Sequence, residues 1–171
     1  MKNREEAAEK EWNAKVENYT SEIVPSGRYG SKNLLITTES FTIQDNYIEK
    51  AGLNFIIEIG KSIGYQVEIH KKERDRKVDI YLDHASKHIY NIDLIIPDGY
   101  IVKGLDKPNQ SIENSTGDFI TTAIIEGNKL KLTSIKTYQK NYFKALGWPQ
   151  ILTWLDTAFE FNQAKVLRQK G

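Results

Sequence analysis

The chain contains no cysteine, and this absence removes several kinds of protein from consideration. Without a thiol there is no disulfide, no thiolate nucleophile and no zinc site held by cysteine. Histidine is also scarce, since His70, His84 and His88 are the only candidates for an imidazole base. No Gly-x-Ser-x-Gly motif accompanies them, and a serine hydrolase is therefore not expected.

An excess of charge of either sign is also missing, because 24 basic residues face 23 acidic ones in a chain of 171 residues. Such a balance gives no general field towards nucleic acid or an anionic membrane, and neither partner is expected. No apolar run approaches the roughly 20 residues of a membrane-spanning helix. Residues 1–6 are charged and have no apolar signal core behind them. The chain is therefore expected to be either cytoplasmic or a piece of a longer exported protein.

Alternating β-forming residues dominate the middle of the chain. A run over residues 90–96 ends at Pro97-Asp98-Gly99, a type of turn that leads into the second strand of a hairpin. The next hairpin has a stronger signal, because the two residues Gly127-Asn128 connect the alternating runs 119–125 and 130–132. The pattern predicts antiparallel strands and contains no motif of an active site.

Two earlier segments are also predicted to be extended. Residues 47–69 are apolar but interrupted by three glycines, and they are predicted to form two short strands with bends. Glycine inside a strand pattern marks a bulge or a close approach of two backbones. Apolar Val78, Ile80 and Leu82 alternate with polar neighbours, which predicts a half-buried antiparallel strand.

Helical periods flank the β-rich region. Residues 2–13 combine good helix formers with one thin apolar stripe and are predicted to form a short helix. A second helix is predicted over 148–162, where a proline stands near the start and apolar residues recur on one face. Residues 165–170 are expected to be a last edge strand or a frayed tail. The chain is thus predicted to be a single domain, 1–171, mainly β, with an antiparallel β-sandwich over 16–136.

One short motif shares its last residues with a phosphate-binding loop. Gly60-Lys61-Ser62 matches the end of such a loop, but Phe55 stands where the loop needs a glycine. Without that glycine the backbone amides that cradle phosphate are not presented. The motif is therefore interpreted as part of a bent strand, and no nucleotide cofactor is expected.

Two histidines stand near acidic residues, which raises the question of a metal or catalytic site. His84 and His88 would share one face of a helix, but their neighbourhood has a strand and turn pattern, where residues four apart are separated by roughly 13 Å. Asp79 and Asp83 fit the solvated face of a sheet better than a pair of catalytic carboxylates. No metal site is expected, and both histidines are interpreted as surface residues. An enzyme built on these four residues would need their side chains to converge.

Aromatic residues interleaved with lysines between positions 136 and 154 form a candidate binding site. Tyr138, Tyr142 and Trp148 could stack against a saccharide or a peptide. This hypothesis predicts that Tyr142 and Trp148 are exposed to solvent and coplanar. The alternative is a strand-to-helix junction packed on the core, and the helical period of the following residues favours it.

Several motifs occur in an order that resembles a known family. They are Ala51-Gly52-Leu53-Asn54-Phe55, Ile59-Gly60-Lys61-Ser62-Ile63-Gly64, Arg76-Lys77-Val78-Asp79-Ile80-Tyr81, Ile96-Pro97-Asp98-Gly99-Tyr100, Lys136-Thr137-Tyr138, Trp148-Pro149 and Phe159-Glu160-Phe161. In this order they resemble the C-terminal region of large Bacteroidetes-type envelope proteins, which carry an N-terminal domain of unknown function and often a central transglutaminase-like domain. The resemblance covers most of the chain, and its weight comes from the order of the motifs.

The resemblance implies a non-catalytic, immunoglobulin-like β-sandwich at the end of an exported multidomain protein of the periplasm or cell envelope. Transglutaminase-like catalysis needs cysteine, histidine and aspartate in a different domain, and no catalytic residue is carried over to this chain, which lacks cysteine. The implied partner is a neighbouring domain of the same parent chain. A start at Met1 without a signal segment fits a fragment of that parent better than a complete gene product. An accessory or interaction domain without enzymatic activity is therefore expected.

Overall fold

The computed structural model describes residues 2–12, 14–24, 36–44 and 47–171. The chain divides into two compact units, Met1–Asn46 and Tyr47–Gly171. The described residues are mainly β, with antiparallel sheets and one helix near each terminus, which confirms the predicted fold class and is consistent with a β-sandwich. Residue 13 of the predicted N-terminal helix and residues 25–35, 45 and 46 of the predicted sandwich lie outside the described residues.

The first unit consists of a helix followed by a two-stranded antiparallel sheet. Its elements are α1 (Lys2–Trp12), β1 (Lys15–Val24) and β2 (Ile36–Gln44). Ala8 and Val16 are buried, and the backbone N–H of Val16 donates a hydrogen bond to Glu9 Oε1 at 3.1 Å. Trp12 meets Phe41 edge to face, with 6.0 Å between the ring centroids. These contacts hold α1 against both strands.

The second unit is built from short strands and one α-helix. In chain order its elements are β3 (Ile48–Ala51), β4 (Asn54–Ile57), β5 (Ile80–Tyr81), β6 (Ser86–Ile95), β7 (Tyr100–Lys103), β8 (Gln110–Asn114), β9 (Gly117–Glu126), β10 (Lys129–Tyr138), β11 (Tyr142–Phe143), α2 (Trp148–Phe161) and β12 (Val166–Lys170). They form two four-stranded antiparallel sheets, in the orders β6-β10-β9-β8 and β3-β4-β12-β7, and a short ribbon of β5 and β11. Side chains from both four-stranded sheets join one hydrophobic core.

The hairpin of β9 and β10 has the connection that its sequence predicts. Gly127 and Asn128 link the strands, and the flanking residues Glu126 and Lys129 are paired. Gly127 has a φ of +59°, a conformation that glycine adopts without steric cost. The side chains of Phe119 and other alternate residues of β9 point into the core. The predicted two-residue turn is confirmed.

The predicted hairpin at Pro97-Asp98-Gly99 is wrong, because the strands on either side of this turn belong to different sheets. β6 pairs with β10, and β7 pairs with β12. The backbone N–H of Ile96 donates to the carbonyl of Asn128 at 2.7 Å, so the ladder between β6 and β10 continues up to the turn. The turn therefore carries the chain from one sheet to the other.

The position of strand β12 also differs from the prediction. It is neither an edge strand nor a frayed tail, because it lies between β4 and β7 and pairs with both. Val166 is opposite Ile57, and Leu167 is opposite both Ile56 and Lys103. The sheets therefore extend beyond the predicted limit of residue 136.

Helix α2 covers the core beside β8 and β9. It starts at Trp148 with Pro149 in its first turn, and it ends at Phe161, one residue before the predicted boundary. Its buried face is apolar and consists of Trp148, Ile151, Leu152, Trp154, Leu155, Ala158 and Phe161. The Trp154 indole N–H donates to Thr116 Oγ1 at 3.1 Å, so the one polar atom of this buried ring is satisfied.

The segment around Gly60 departs from the predicted bent strand. Strands β3 and β4 form the two short strands that were expected, but Ile59–Ile63 is a 3-10 helix. A side chain at Gly60 would collide with the backbone of Phe161 and Asn162, so glycine is required there by a close approach of two backbones. The Asn162 amide donates to the carbonyls of Gly60 and Gly64 at 2.8 and 3.0 Å and fixes this segment against the end of α2.

Candidate functional site

The structure does not bring together the three aromatic residues suggested by the sequence. Tyr138 is half-buried at the end of β10, where its ring meets Trp154 edge to face at 4.9 Å. Tyr142 lies on β11 and is 36% exposed. Trp148 is only 5% exposed, and its indole N–H donates to the carbonyl of Glu73 at 3.0 Å. The exposure of Trp148 that the binding hypothesis requires is therefore wrong, and its place on the core face of α2 agrees with the favoured alternative of a junction packed on the core.

The ribbon of β5 and β11 is held by a short polar network. Tyr142 is opposite Tyr81, and their ring centroids are 4.8 Å apart with a 42° angle between the planes. The Tyr142 hydroxyl donates to Asp79 Oδ2 at 2.6 Å, and the backbone N–H of Ala145 donates to Asp79 Oδ1 at 2.9 Å. One carboxylate thus joins both strands and the turn that follows.

The predicted strand over Val78, Ile80 and Leu82 is only two residues long in the structure, because its partner β11 has only that length.

The hydrogen bonds at Asp79 change the acidity of both groups. The Tyr142 hydroxyl and the Ala145 amide stabilise the carboxylate, and they hold the pKa of Asp79 below its ordinary value. The same bond stabilises the protonated phenol and raises the pKa of Tyr142 to about 12. The two groups therefore keep their donor and acceptor forms throughout the neutral pH range.

Large apolar side chains project from this ribbon into solvent. Tyr81 is 75% exposed and Leu146 is 92% exposed, and Val78 is also largely exposed. Val78 precedes Asp79 in the sequence, and Leu146 follows Ala145. The hydrogen bond from the Ala145 backbone N–H to the Asp79 carboxylate therefore joins the residues next to Val78 and Leu146. We call Val78, Tyr81, Tyr142 and Leu146 the ribbon surface. Large apolar side chains that are exposed in this way occur at contact surfaces for other molecules.

A small cavity lies beside the core-facing side chains at the C-terminal end of β10. Alternation along β10 turns Leu130, Leu132, Ser134 and Lys136 towards the core, and the first three are buried. The cavity has a volume of about 140 Å³ and an apolar wall formed by Ile63 and Phe119. We call it the lysine cavity, and its polar lining consists of Tyr65, Gln66, His88, Tyr90, Ser134, Lys136 and Tyr138.

Lys136 is held in this cavity by one amide and two aromatic rings. Its Nζ donates to Gln66 Oε1 at 2.8 Å. The same atom lies 5.4 Å from the ring centroid of Tyr138 and 5.9 Å from that of Trp154, within the range of a cation–π contact. Within the described part of the chain, no carboxylate forms an ion pair with Lys136. Burial without a counter-charge lowers the pKa of Lys136 to about 8.

The lysine cavity was not found by reasoning from the sequence, although one signal for it was present. Lys136 occupies a core position in the alternating pattern of β10, after Leu132 and Ser134. A charged residue in such a position needs a partner or a function. Gln66 could not be found in this way, because it lies 70 residues away in the chain.

The two histidines considered for a metal site are both exposed. His88 lies at the lysine cavity, where its ring is 6.4 Å from that of Tyr138, and Ser86 lies 3.3 Å from its Nε2. In the parts of the chain that the structure describes, no three side chains of the types that bind metals are clustered. None of the helices in the described part of the chain is long and apolar enough to cross a membrane.

The family comparison adds one finding to this geometry. No curated protein and no solved structure was found to match the chain. A family model with the description "Domain of Unknown Function with solved-structure structure (DUF3858)" matches residues 56–154, more than half of the chain. The matched segment contains all residues of the ribbon surface and the polar lining of the lysine cavity. The chain therefore belongs to the DUF3858 family of domains of unknown function.

Proposed function

We propose that this chain is a non-catalytic accessory domain that docks onto a neighbouring domain of the same polypeptide through the ribbon surface. The parent is an exported protein of the transglutaminase-associated type that the sequence resembles, located in the periplasm or cell envelope. Two four-stranded antiparallel sheets with a shared core support the immunoglobulin-like part of this proposal. The absence of cysteine from the chain is consistent with catalysis in another domain.

The ribbon surface is the observation that carries the proposal. Leu146 is 92% exposed, although transfer of an apolar side chain of this size out of water lowers the free energy. Asp79 binds both the Tyr142 hydroxyl and the backbone of Ala145, so the backbone that presents this surface is held in place before any partner arrives. A rigid apolar surface loses little conformational entropy on docking, and this favours association with a neighbour that is always nearby.

Hydrogen–deuterium exchange tests the proposal by comparing the 171-residue chain with the full product of the gene that encodes it. We expect the amides of 79–82 and 141–147 to exchange more slowly in the longer protein, because the docked neighbour excludes water from the ribbon surface. The hairpin around Gly127 serves as an internal control and should exchange equally in both. Equal exchange at the ribbon, or a gene product with no further domain, would contradict the proposal.

A pair of matched variants separates docking from a general change in stability. In the longer protein, Leu146→Ser should return exchange at the ribbon to the rate of the isolated chain. Ile95→Ser is the matched control, since Ile95 is also exposed, at 71%, but lies at the end of β6. If both variants have the same effect on exchange, the ribbon surface is not the docking site.

A second candidate function is a carbohydrate-binding module, and the exposed tyrosine pair favours it. Tyr81 and Tyr142 present two adjacent rings to solvent, and such rings can stack against a sugar. Titration with cellotetraose and chitotetraose, followed by NMR, should then shift resonances at 78–82 and 141–147. Tyr81→Ala should abolish these shifts, whereas Tyr65→Ala, at an exposed tyrosine outside the ribbon, should not. Shifts that survive Tyr81→Ala, or no shifts at millimolar sugar, would exclude this function.

A further inference from the structure

The lysine cavity contains a cation that the described residues do not neutralise. The ammonium group of Lys136 has three N–H donors, and Gln66 accepts one hydrogen bond from it. The rings of Tyr138 and Trp154 lie nearby but offer only the weaker attraction of their π faces. Because an ammonium group taken out of water is costly without an opposite charge, this position favours an anion beside it.

The core-facing side of β10 is apolar at first and becomes polar near Lys136. Leu130 and Leu132 fill the core further along β10, whereas Ser134 and Lys136 follow them on the same face. An apolar residue would satisfy packing at this position at a lower cost in desolvation. Ser134 and His88 also line the cavity and add groups that can donate hydrogen bonds. The arrangement is that of a site for a hydrogen-bond acceptor.

The size and charge of the cavity limit its occupant. The cavity of about 140 Å³ opens beside the exposed residues Tyr65 and His88, so it admits a small acidic group from solvent to the ammonium of Lys136. One lysine neutralises one negative charge, and a divalent anion such as phosphate would leave a second charge without a counter-ion. The wall formed by Ile63 and Phe119 accommodates a short alkyl group. We propose that the lysine cavity binds a small monocarboxylate, with Lys136 as its counter-ion.

NMR titration of the 171-residue chain with propanoate tests this site directly. We expect propanoate to shift the side-chain resonances of Lys136 and Gln66 in a saturable manner, and Lys136→Met to weaken binding roughly tenfold or more, as loss of a charged hydrogen bond predicts. Lys131→Met is the matched control, because Lys131 lies on the same strand but pairs with Glu126 in solvent. Equal binding by both variants, or the absence of saturable shifts, would overturn the proposal.

A second measurement needs only the wild-type protein and remains valid if Lys136→Met fails to fold. A bound carboxylate stabilises the protonated amine, so propanoate should raise the pKa of Lys136, followed through its side-chain carbon resonances. The other titratable groups at the cavity are His88, Tyr65, Tyr90 and Tyr138, and their resonances should be followed in parallel. Propanamide has nearly the same shape without the charge and should leave the pKa unchanged. An equal effect of propanamide, or tighter binding of phosphate than of propanoate, would contradict the inference.

Discussion

At the scale of single residues, Lys136 opposes folding at neutral pH. Its pKa is about 8 in the folded protein and about 10.5 in the unfolded chain, so the unfolded state binds the proton more tightly. The resulting cost is fully present below pH 8. It decreases as the pH rises from about 8 towards 10.5, because the folded protein releases the proton first. The contribution of Lys136 to stability therefore increases with pH in this range.

The first prediction concerns the pH dependence of stability that Lys136 causes. Between pH 7 and pH 9.5, the free energy of unfolding of the wild type should rise by roughly 2 kcal/mol relative to that of Lys136→Met, given about 1.4 kcal/mol per pKa unit. Urea denaturation at the two pH values measures the difference. The upper limit of pH 9.5 avoids titration of Tyr142, whose pKa is raised to about 12, and of Tyr138, whose pKa is also raised. A parallel pH dependence in both proteins would show that Lys136 is not buried as an ammonium.

The second prediction concerns the polar network of the ribbon surface. Asp79→Asn removes the negative charge that stabilises the protonated phenol of Tyr142, so the pKa of Tyr142 should fall from about 12 towards the ordinary value of about 10. NMR titration of the ring carbons resolves this tyrosine from the others. Asp83→Asn changes an exposed carboxylate close in sequence and should leave Tyr142 unaffected. An unchanged Tyr142 in Asp79→Asn would mean that the hydrogen bond contributes little.

The sequence predicted single residues well only where their role is local. The exposure of His84 and His88 follows from the short-range pattern and is confirmed. The burial of Trp148 agrees with the helical period, which favoured a junction packed on the core over the exposed surface that the binding hypothesis required. The contact between Lys136 and Gln66 joins segments 70 residues apart, and no local pattern contains it.

At the scale of elements, the position of β12 determines how the second sheet is completed. This strand pairs with β4 on one side and with β7 on the other. If it were an edge strand, the loss of its backbone hydrogen bonds would affect one neighbour and leave the rest of the sheet paired. Because β12 lies in the centre of the sheet, the loss of its hydrogen bonds leaves β7 without any connection to β4 in the sheet.

The third prediction uses proline to test this position. Leu167→Pro should lower the free energy of unfolding by roughly 1–3 kcal/mol more than the loss of the side chain alone, because Leu167 is paired on both sides and proline cannot donate to a ladder. Leu167→Ala serves as the control for the lost side chain and should cost less. Chemical denaturation measures both variants. Equal stabilities of the two variants would indicate that β12 carries few of the sheet's hydrogen bonds.

Elements with local signals were predicted from the sequence, whereas their pairing was not. The turn at Gly127 and the helical period of α2 depend on residues that are close together in the sequence, and both predictions are confirmed. The turn at Pro97 was equally visible, but its surroundings do not specify that β6 and β7 join different sheets. The same limitation applies to β12, whose partners lie far away in the chain.

At the scale of the whole molecule, the hydrophobic core belongs to the second unit. Among the residues that the structure describes, the buried members of the main cluster extend from Ile59 to Val166, and none of them comes from Met1–Asn46. The fourth prediction is therefore that a chain of residues 47–171 folds by itself. Its NMR spectrum should retain the dispersed amide resonances of β6 to β10, and its unfolding should be cooperative. A collapsed, poorly dispersed spectrum would contradict this and would favour the single domain predicted over 1–171.

The class of the fold could be predicted from composition and periodicity, but the function could not. Alternating strands and two terminal helices specify a mainly β chain with antiparallel sheets, and the family match identifies it as a domain of unknown function. The two surfaces that carry our proposals arise from side chains brought together across the fold. Asp79 and Tyr142, for example, form one network although 63 residues separate them.

The central position of β12 also has a consequence for the order of events in folding. Strands β3 and β4 form a local hairpin, but Ile57 obtains its second partner only when Val166 reaches it. Contacts between such distant segments form slowly, because a long loop must close first. Until then one side of β4 is an open strand edge, which other chains can pair with. The step most exposed to misassembly is therefore the insertion of β12 between β4 and β7.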